Sequence, residues 1–209
     1  MSARATLLSL DFALFAATAS AFVGLAHHYQ RRPIRRASTR RHVSFIEEDA
    51  AAVSLPLIEE VVKSSRVKGN RPILGLLFAA GWCPDCWDVV PAVGRIAKEN
   101  SSLVDFVYVS SDISEAEMLQ FKPSSLHHIP YDDVEQRTAL KRQFHTCAAK
   151  EMDALGISNR QHGTPTLILL ETATGRVLSE NGVDDVMKSG SSSSPSQVLG
   201  VWKAMLTSN

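Results

Sequence analysis

Cys83 and Cys86 stand three positions apart in Trp82-Cys83-Pro84-Asp85-Cys86, a spacing that on a helix brings two side chains together. Two thiols so placed can exchange with a disulfide in a partner and carry two electrons. Which sulfur attacks depends on where the helix begins. Ile73-Leu74-Gly75-Leu76-Leu77-Phe78-Ala79-Ala80 is a continuous apolar run, the pattern of a central parallel strand buried on both faces. Trp87 to Glu99 then carries Val89, Val90, Val93, Ile96 and Ala97 on one helical face. The motif therefore lies at a strand-to-helix junction, where Pro84 suits the first helical turn because the amide hydrogen it lacks would go unpaired anyway. Cys83 there meets unpaired backbone amides and the positive end of the helix dipole, which favour a thiolate and mark it as the nucleophile. Cys86, one turn on and more buried, would attack the mixed disulfide and release the reduced partner. Asp85 opposes the dipole by setting like charge beside the Cys83 sulfur.

The rival use of the pair is half a zinc site. A structural zinc needs four ligands, and Cys147, His127, His128, His145 and His162 offer no second paired spacing. The expectation is no metal and no cofactor beyond a redox-active Cys83–Cys86 disulfide. Cys147 reads as a semi-buried structural thiol, His162 as a loop histidine, and Trp87 and Trp202 as packing residues.

The remaining pattern alternates strands with helices. Val53, Leu57, Ile58, Val61 and Val62 have helical spacing over Glu47 to Arg66, with Pro56 interrupting or starting the helix. Leu103 to Ser110 predicts a second buried strand, and Ser114-Glu115-Ala116-Glu117 opens a helix with a capping-box pattern. A further helix follows Tyr131-Asp132-Asp133 and ends near Phe144, after which Phe144 to Asp153 is an interruption that carries Cys147. Gly163-Thr164-Pro165-Thr166 precedes the strand Leu167 to Leu170, and Thr174-Gly175 turns it into Arg176 to Ser179. Past the Ser-rich stretch Ser189 to Ser196, residues Val198, Leu199, Val201, Trp202, Met205 and Leu206 stripe a last helix.

In this order the motifs resemble the thioredoxin superfamily, and within it nucleoredoxin and tryparedoxin. The likeness covers Ile73 to Val186 and rests on Trp82 to Cys86 after a buried strand, Phe106 to Asp112, Ile129-Pro130-Tyr131, Gly163 to Leu167, and Glu171 to Gly175. It implies an α/β thioredoxin-like fold, a central mixed sheet with helices on both faces. It also implies a cis Pro165 that holds the Thr164 backbone beside Cys83, where a substrate strand could pair, and a Trp82 that shields the motif and offers a flat contact surface. The site residues are thus Cys83 and Cys86 for catalysis, supported by Trp82, Pro84, Asp85, Thr164 and Pro165. Three features depart from the family. Asp85 replaces the second proline of a tryparedoxin Cys-Pro-Pro-Cys. The region of Cys147 and Arg160-Gln161-His162 has no counterpart, and Ser125 to His128 replaces a Trp-bearing loop. The position of thioredoxin's buried acid falls on Leu77, so Cys86 needs another base or water.

The implied activity is reduction of protein disulfides, with recharging by thioredoxin reductase, glutathione or a ferredoxin-linked system. A disulfide oxidase or isomerase of an oxidising compartment and a non-enzymatic redox-sensing module are the alternatives.

Charge divides the 209 residues in two. Met1 to Phe45 holds seven Arg and one Asp, while the remainder holds 15 basic and 21 acidic residues. An acidic body of this kind argues against nucleic-acid binding, and three cysteines are too few for a disulfide-stapled scaffold. Residues 1–45 are expected to form a hydrophobic targeting or anchor segment with an Arg-rich linker, and 46–209 the thioredoxin-like domain. Phe12 to Leu25 matches a signal-peptide core, and the acid-free, Arg-bearing stretch after it reads as a transit peptide. Ala19-Ser20-Ala21-Phe22 resembles the signal-to-transit junction of bipartite plastid presequences. The expected destination is an organelle, plastid or endomembrane. The alternatives are a membrane anchor that leaves the domain cytosolic, a contact Asp11 disfavours, and a tail with no address.

Overall fold

The computed structural model describes residues 53–99, 102–187 and 194–208. The targeting or anchor segment expected over 1–45, most of the Ser-rich stretch and the first residues of the helix expected from Glu47 lie outside the described residues. Among the described residues, no helix is long and apolar enough to cross a membrane.

Five strands form one mixed sheet in the order β3-β2-β1-β4-β5. The central strand is β1 (Ile73–Ala79), which pairs in parallel with β2 (Val104–Ser110) and antiparallel with β4 (Thr166–Glu171). At the edges stand β3 (His127–His128), parallel to β2, and β5 (Val177–Ser179), antiparallel to β4. Every residue of β1 and β2 is buried, as apolar runs predict for strands covered on both faces, although β2 also buries Asp105, which pairs with Arg71. Alternation sorts them between two cores. Ile73, Leu77 and Ala79 join one cluster and Leu74, Leu76 and Phe78 the other.

The first cluster is closed by α2 (Cys86–Glu99), through Val89, Val90, Val93 and Ile96, and by α7 (Pro195–Met205), through Val198 and Trp202. The second takes Ile58 and Val61 from α1 (Leu55–Ser64) and Leu140 from α4 (Val134–Gln143). Pro56 therefore starts α1, sitting in its first turn. Four elements were not foreseen: β3, too short for any period to show, a single 3-10 turn at Ala149–Glu151 with α5 (Met152–Leu155) directly after it, and α6 (Gly182–Met187), six residues long. The helix α3 (Glu115–Phe121) is capped by Ser114, whose hydroxyl accepts the Glu117 amide. The return bond of the expected capping box is displaced by one residue, because the Glu117 carboxylate accepts the Ile113 amide at 2.9 Å.

Gly75 lets the last helix reach the sheet. A Cβ there would lie 2.9 Å from the Phe106 ring, so the glycine leaves room for Phe106 to cross β1. The Phe106 ring meets Trp202 at a centroid distance of 6.0 Å, and the Trp202 indole donates to Asp185 at 3.0 Å. Trp202 is fully buried, the packing residue the sequence suggested. Trp202→Ala should lower stability by about 3–5 kcal/mol, the range for truncating a buried aromatic. Urea unfolding should show a lower midpoint at unchanged slope; a midpoint within error of the parent would contradict this packing.

Candidate functional site

After β1 the chain turns sharply, and the turn is tied to the end of β2. Ser111 donates its amide to Ala79, Gly81 donates to the Asp112 carboxylate at 2.6 Å, and the Trp82 indole donates to the Ser111 carbonyl at 2.8 Å. Asp112 is buried and also accepts from the hydroxyls of Ser110 at 2.7 Å and Tyr108 at 3.1 Å. Three donors offset the cost of burying this carboxylate.

Cys83 and Cys86 follow on this fixed turn. The Cys86 amide bonds the Cys83 carbonyl and the Trp87 amide the Pro84 carbonyl, both at 3.0 Å. These tight bonds wind Pro84 and Asp85 into a turn ahead of α2, which begins at Cys86, so Pro84 precedes the first helical turn instead of lying in it. Cys83 thereby sits just in front of the helix. It is 5% exposed, and Cys86 is sealed at 0%. Burial pushes the Cys86 thiol far up, a bond from the Ala80 backbone pulls it back, and Cys83 and Asp85 add to the rise.

The Thr164–Pro165 peptide is cis. The Cys83 thiol donates to the Thr164 carbonyl at 3.4 Å, and the Thr164 hydroxyl approaches the Cys83 sulfur at 3.8 Å. The fold thus gathers Trp82, Cys83, Cys86, Thr164 and Pro165, with Pro84 and Asp85 exposed at the mouth. Trp87 does not pack in the core. It is 58% exposed and held only at its edge, the indole donating to the Gly81 carbonyl at 2.7 Å, because its position on the first turn of α2 faces away from the sheet.

Residues 144–162 form a wall beside the motif. Cys147 is fully buried, deeper than the semi-buried thiol expected, because its amide bonds the His162 carbonyl and a parallel bridge joins Thr146 to His162. Burial pushes the Cys147 thiol up, Glu151 adds to that, and Arg160 and Lys141 oppose it. His162 pairs with Glu180 at 3.1 Å, as a loop histidine. The wall is pinned by Glu151, which accepts from Lys141 at 2.6 Å, Ser111 at 2.8 Å and the Ala148 amide at 3.0 Å. The next residue back, Lys150, lays its ammonium 3.7 Å from the centre of the Trp82 ring. Among the described residues no three His, Cys, Asp or Glu side chains converge as a metal site.

Sequence reasoning gave no role to Tyr108, Asp112, Lys150 or Glu151. A polar Ser110-Ser111-Asp112 closing an apolar strand was the available signal for Asp112. Burial pushes the Tyr108 phenol far up, Asp112 adds to it, and the charges of Cys86 and Cys83 contribute, since Tyr108 packs in the same core cluster as both cysteines.

A family model described as Thioredoxin-like matches residues 70–177, inside which lie the motif, Asp112 and Pro165. Nucleoredoxin of Danio rerio is 30% identical over 145 residues, which is 66% of this chain and 30% of that protein. Nucleoredoxin of Homo sapiens is 29% identical over 130 residues, 60% of this chain and 26% of that protein. The chain thus spans less than a third of the length of either relative. Among solved structures, thioredoxin from Wuchereria bancrofti is similar at 26% identity and a TM-score of 0.46, covering 68% of this chain and 86% of that one. Tryparedoxin from Trypanosoma brucei is 20% identical at a TM-score of 0.43, covering 56% and 72%.

The Lys141–Glu151 pair makes the wall sensitive to acid. Burial alone raises the Glu151 carboxyl, but the Lys141 charge and hydrogen bonds from Lys141, Ser111 and Ala148 outweigh it and hold the group below 4.5. Burial holds Lys141 below the ordinary lysine range even with Glu151 opposing. A depressed carboxyl contributes stability that is present above its unfolded value and lost as pH falls through the folded one. Glu151→Gln should therefore cost about 3 kcal/mol at pH 7, at the lower end for a buried pair because Glu151 is 22% exposed. Denaturant titrations from pH 7 to pH 3 should show the two proteins converge below pH 4.5; parallel curves would exclude the pair as the source of acid sensitivity.

Proposed function

The chain belongs to the thioredoxin-like family, and from that premise we propose that it is a thiol-disulfide oxidoreductase that reduces protein disulfides through Cys83 and Cys86. The observation that carries this reading is the Cys83 sulfur, set ahead of a helix and 3.4 Å from the Thr164 carbonyl. A substrate sulfur that takes the place of the Cys83 thiol hydrogen bond would find the Thr164 backbone at its side to align its chain, and Trp82 beside it.

The exchange runs in two steps. The Cys83 thiolate attacks one sulfur of the substrate disulfide, forms a mixed disulfide and expels the other substrate sulfur as a thiolate, which takes a proton from water. Cys86 then loses its proton, attacks the Cys83 sulfur and displaces the second substrate thiolate. Two electrons pass to the substrate and the Cys83–Cys86 disulfide remains. Burial that keeps Cys86 protonated restrains it until the first step has brought a sulfur within reach. Leu77 offers no carboxylate for that proton, and the Tyr108 phenol, bonded to Asp112, packs in the same core cluster as the pair. Asp85 sits exposed between the cysteines, where it adds to the restraint on Cys86 and presents a negative charge to the substrate.

Returning the dithiol requires two electrons from thioredoxin reductase, glutathione or a ferredoxin-linked system. We place the protein in an organelle, plastid or endomembrane, on the strength of residues 1–45. A full-length fluorescent fusion should localise to an organelle and one lacking residues 1–45 should not; identical diffuse signals would refute the targeting role.

With a dithiol reductant the full chain should reduce insulin disulfides, Cys83→Ser should abolish turnover, and Cys86→Ser should accumulate a substrate adduct that is cleaved by reductant and visible by mass. Turnover in Cys83→Ser equal to that of the parent would remove Cys83 as nucleophile. A reduction potential near about −270 mV would fit a reductase, and one near about −180 mV an oxidase or isomerase.

A further inference from the structure

We propose that Lys150 and Arg160 form a cationic bracket around Cys83 that selects protein substrates carrying acidic residues next to the disulfide. The inference rests on the reductase reading and names its substrate class. Both residues belong to the wall over 144–162, and each reaches a residue that adjoins the site. Lys150 holds its ammonium over Trp82, the residue before Cys83. Arg160 reaches Gly163: one guanidinium nitrogen lies 3.7 Å from the place a Cβ there would occupy, one residue before the Thr164 that touches the Cys83 sulfur.

Three of the described lysines and arginines are taken up by carboxylates. Arg71, Lys141 and Arg176 each pair with a carboxylate, Asp105, Glu151 and Glu171 respectively. Among the described residues, neither Lys150 nor Arg160 has a carboxylate within ion-pair distance, and both are exposed. Arg160 spends one donor on the Cys147 carbonyl at 3.3 Å and keeps the remainder of its fork. Their backbone is held in place. Glu151, adjacent to Lys150, is locked by Lys141, Ser111 and the Ala148 amide, and Gln161, adjacent to Arg160, bonds the His145 carbonyl at 2.9 Å.

Two fixed, unpaired cations at the mouth of a site attract carboxylates, and the arginine fork can take one in two parallel bonds. Asp85 and Asp88, both exposed beside the cysteines, supply the opposite sign. An acidic residue is therefore welcome on the side of the wall and repelled on the side of α2, so the bracket also fixes which way the substrate segment lies. Rim charges of this kind act on encounter and selection and weaken in salt.

The test uses the full chain and three labelled peptide disulfides of one length, flanked by Glu, Ser or Lys. The parent should turn over the Glu peptide with a kcat/KM about five- to tenfold above that of the Lys peptide, the size expected of two exposed contacts. The ratio should fall toward one in 0.5 M salt and in the double variant Lys150→Glu, Arg160→Glu. It should persist in Lys150→Arg with Arg160→Lys, which keeps the charges and would rescue nothing if the residues acted only by packing. Binding of the same three peptides, read by fluorescence anisotropy with Cys83→Ser, separates the two levels of inference. Preferential binding of the Glu peptide without turnover in the parent would overturn the reductase reading alone. Equal binding of Glu and Lys peptides, or a ratio unmoved by charge reversal, would overturn the bracket.

Discussion

The antiparallel pairing of β4 on β1 is the constraint on which the site depends. Its register sets Phe78 opposite Thr166, while the parallel pairing on the other side sets Ala79 opposite Ser110. One strand end is thereby fixed between two others. The segment that precedes β4, Gly163 to Pro165, must emerge beside the segment that follows β1, Gly81 to Cys86. A contact between residues 81 positions apart, Cys83 and Thr164, follows from strand register before any side chain at the site is considered. Slipping β4 by one residue would turn Leu167 and Leu169 out of one core and into the other, so the buried faces of the sheet hold the register.

Asp112 converts that register into a fixed turn. Its carboxylate takes the Gly81 amide, and its neighbours Ser110 and Tyr108 donate from β2. The same corner carries the Trp82 indole on the Ser111 carbonyl and the Ser111 hydroxyl on Glu151. Buried polar networks of this sort are all or nothing, because a donor or acceptor left unpaired costs more than the bond contributes when made. The turn before Cys83, the end of β2 and the wall over 144–162 therefore hold their positions together.

Much of this was legible in the sequence, and the parts that were not share a cause. The unbroken apolar run at Ile73 and the mostly apolar one at Leu103, broken only by Asp105 before its closing Ser110, gave both central strands because burial on two faces leaves few polar positions to misread. Cys83, Cys86 and Thr164 with Pro165 were legible as an ordered set, and the family resemblance over Ile73 to Val186 overlaps the matched 70–177. Features that depend on one side chain meeting another far along the chain were not. Lys141 and Glu151 are separated by ten positions across a helix end, a spacing no period predicts. Trp87 and Trp202 are the same residue type, yet one is exposed on a first helical turn and the other packs on the Phe106 ring for which Gly75 leaves room. The depth of Cys147 was likewise set by a bridge between Thr146 and His162, whose segments lie on either side of two short helical turns.

These two kinds of feature divide the work of the site. The group seen on the Cys83 sulfur is Thr164, through its carbonyl and hydroxyl, and a backbone carbonyl is the same whatever sequence a partner presents. On the proposed reading, such a site would align an extended segment without choosing among segments. On the same reading, choice would come from side chains at the mouth, and the wall carries them at a cost, since a lysine 4% exposed must be kept charged to hold Glu151 and its neighbours. A buried ion pair is weak evidence for stability, because well-packed apolar residues of the same volume would serve as well or better. Its use here is geometric. Glu151 spends its oxygens on three separate elements, α4, the end of β2 and the wall itself, and an apolar side chain could fill the same volume without fixing the direction in which the next residue, Lys150, leaves the backbone.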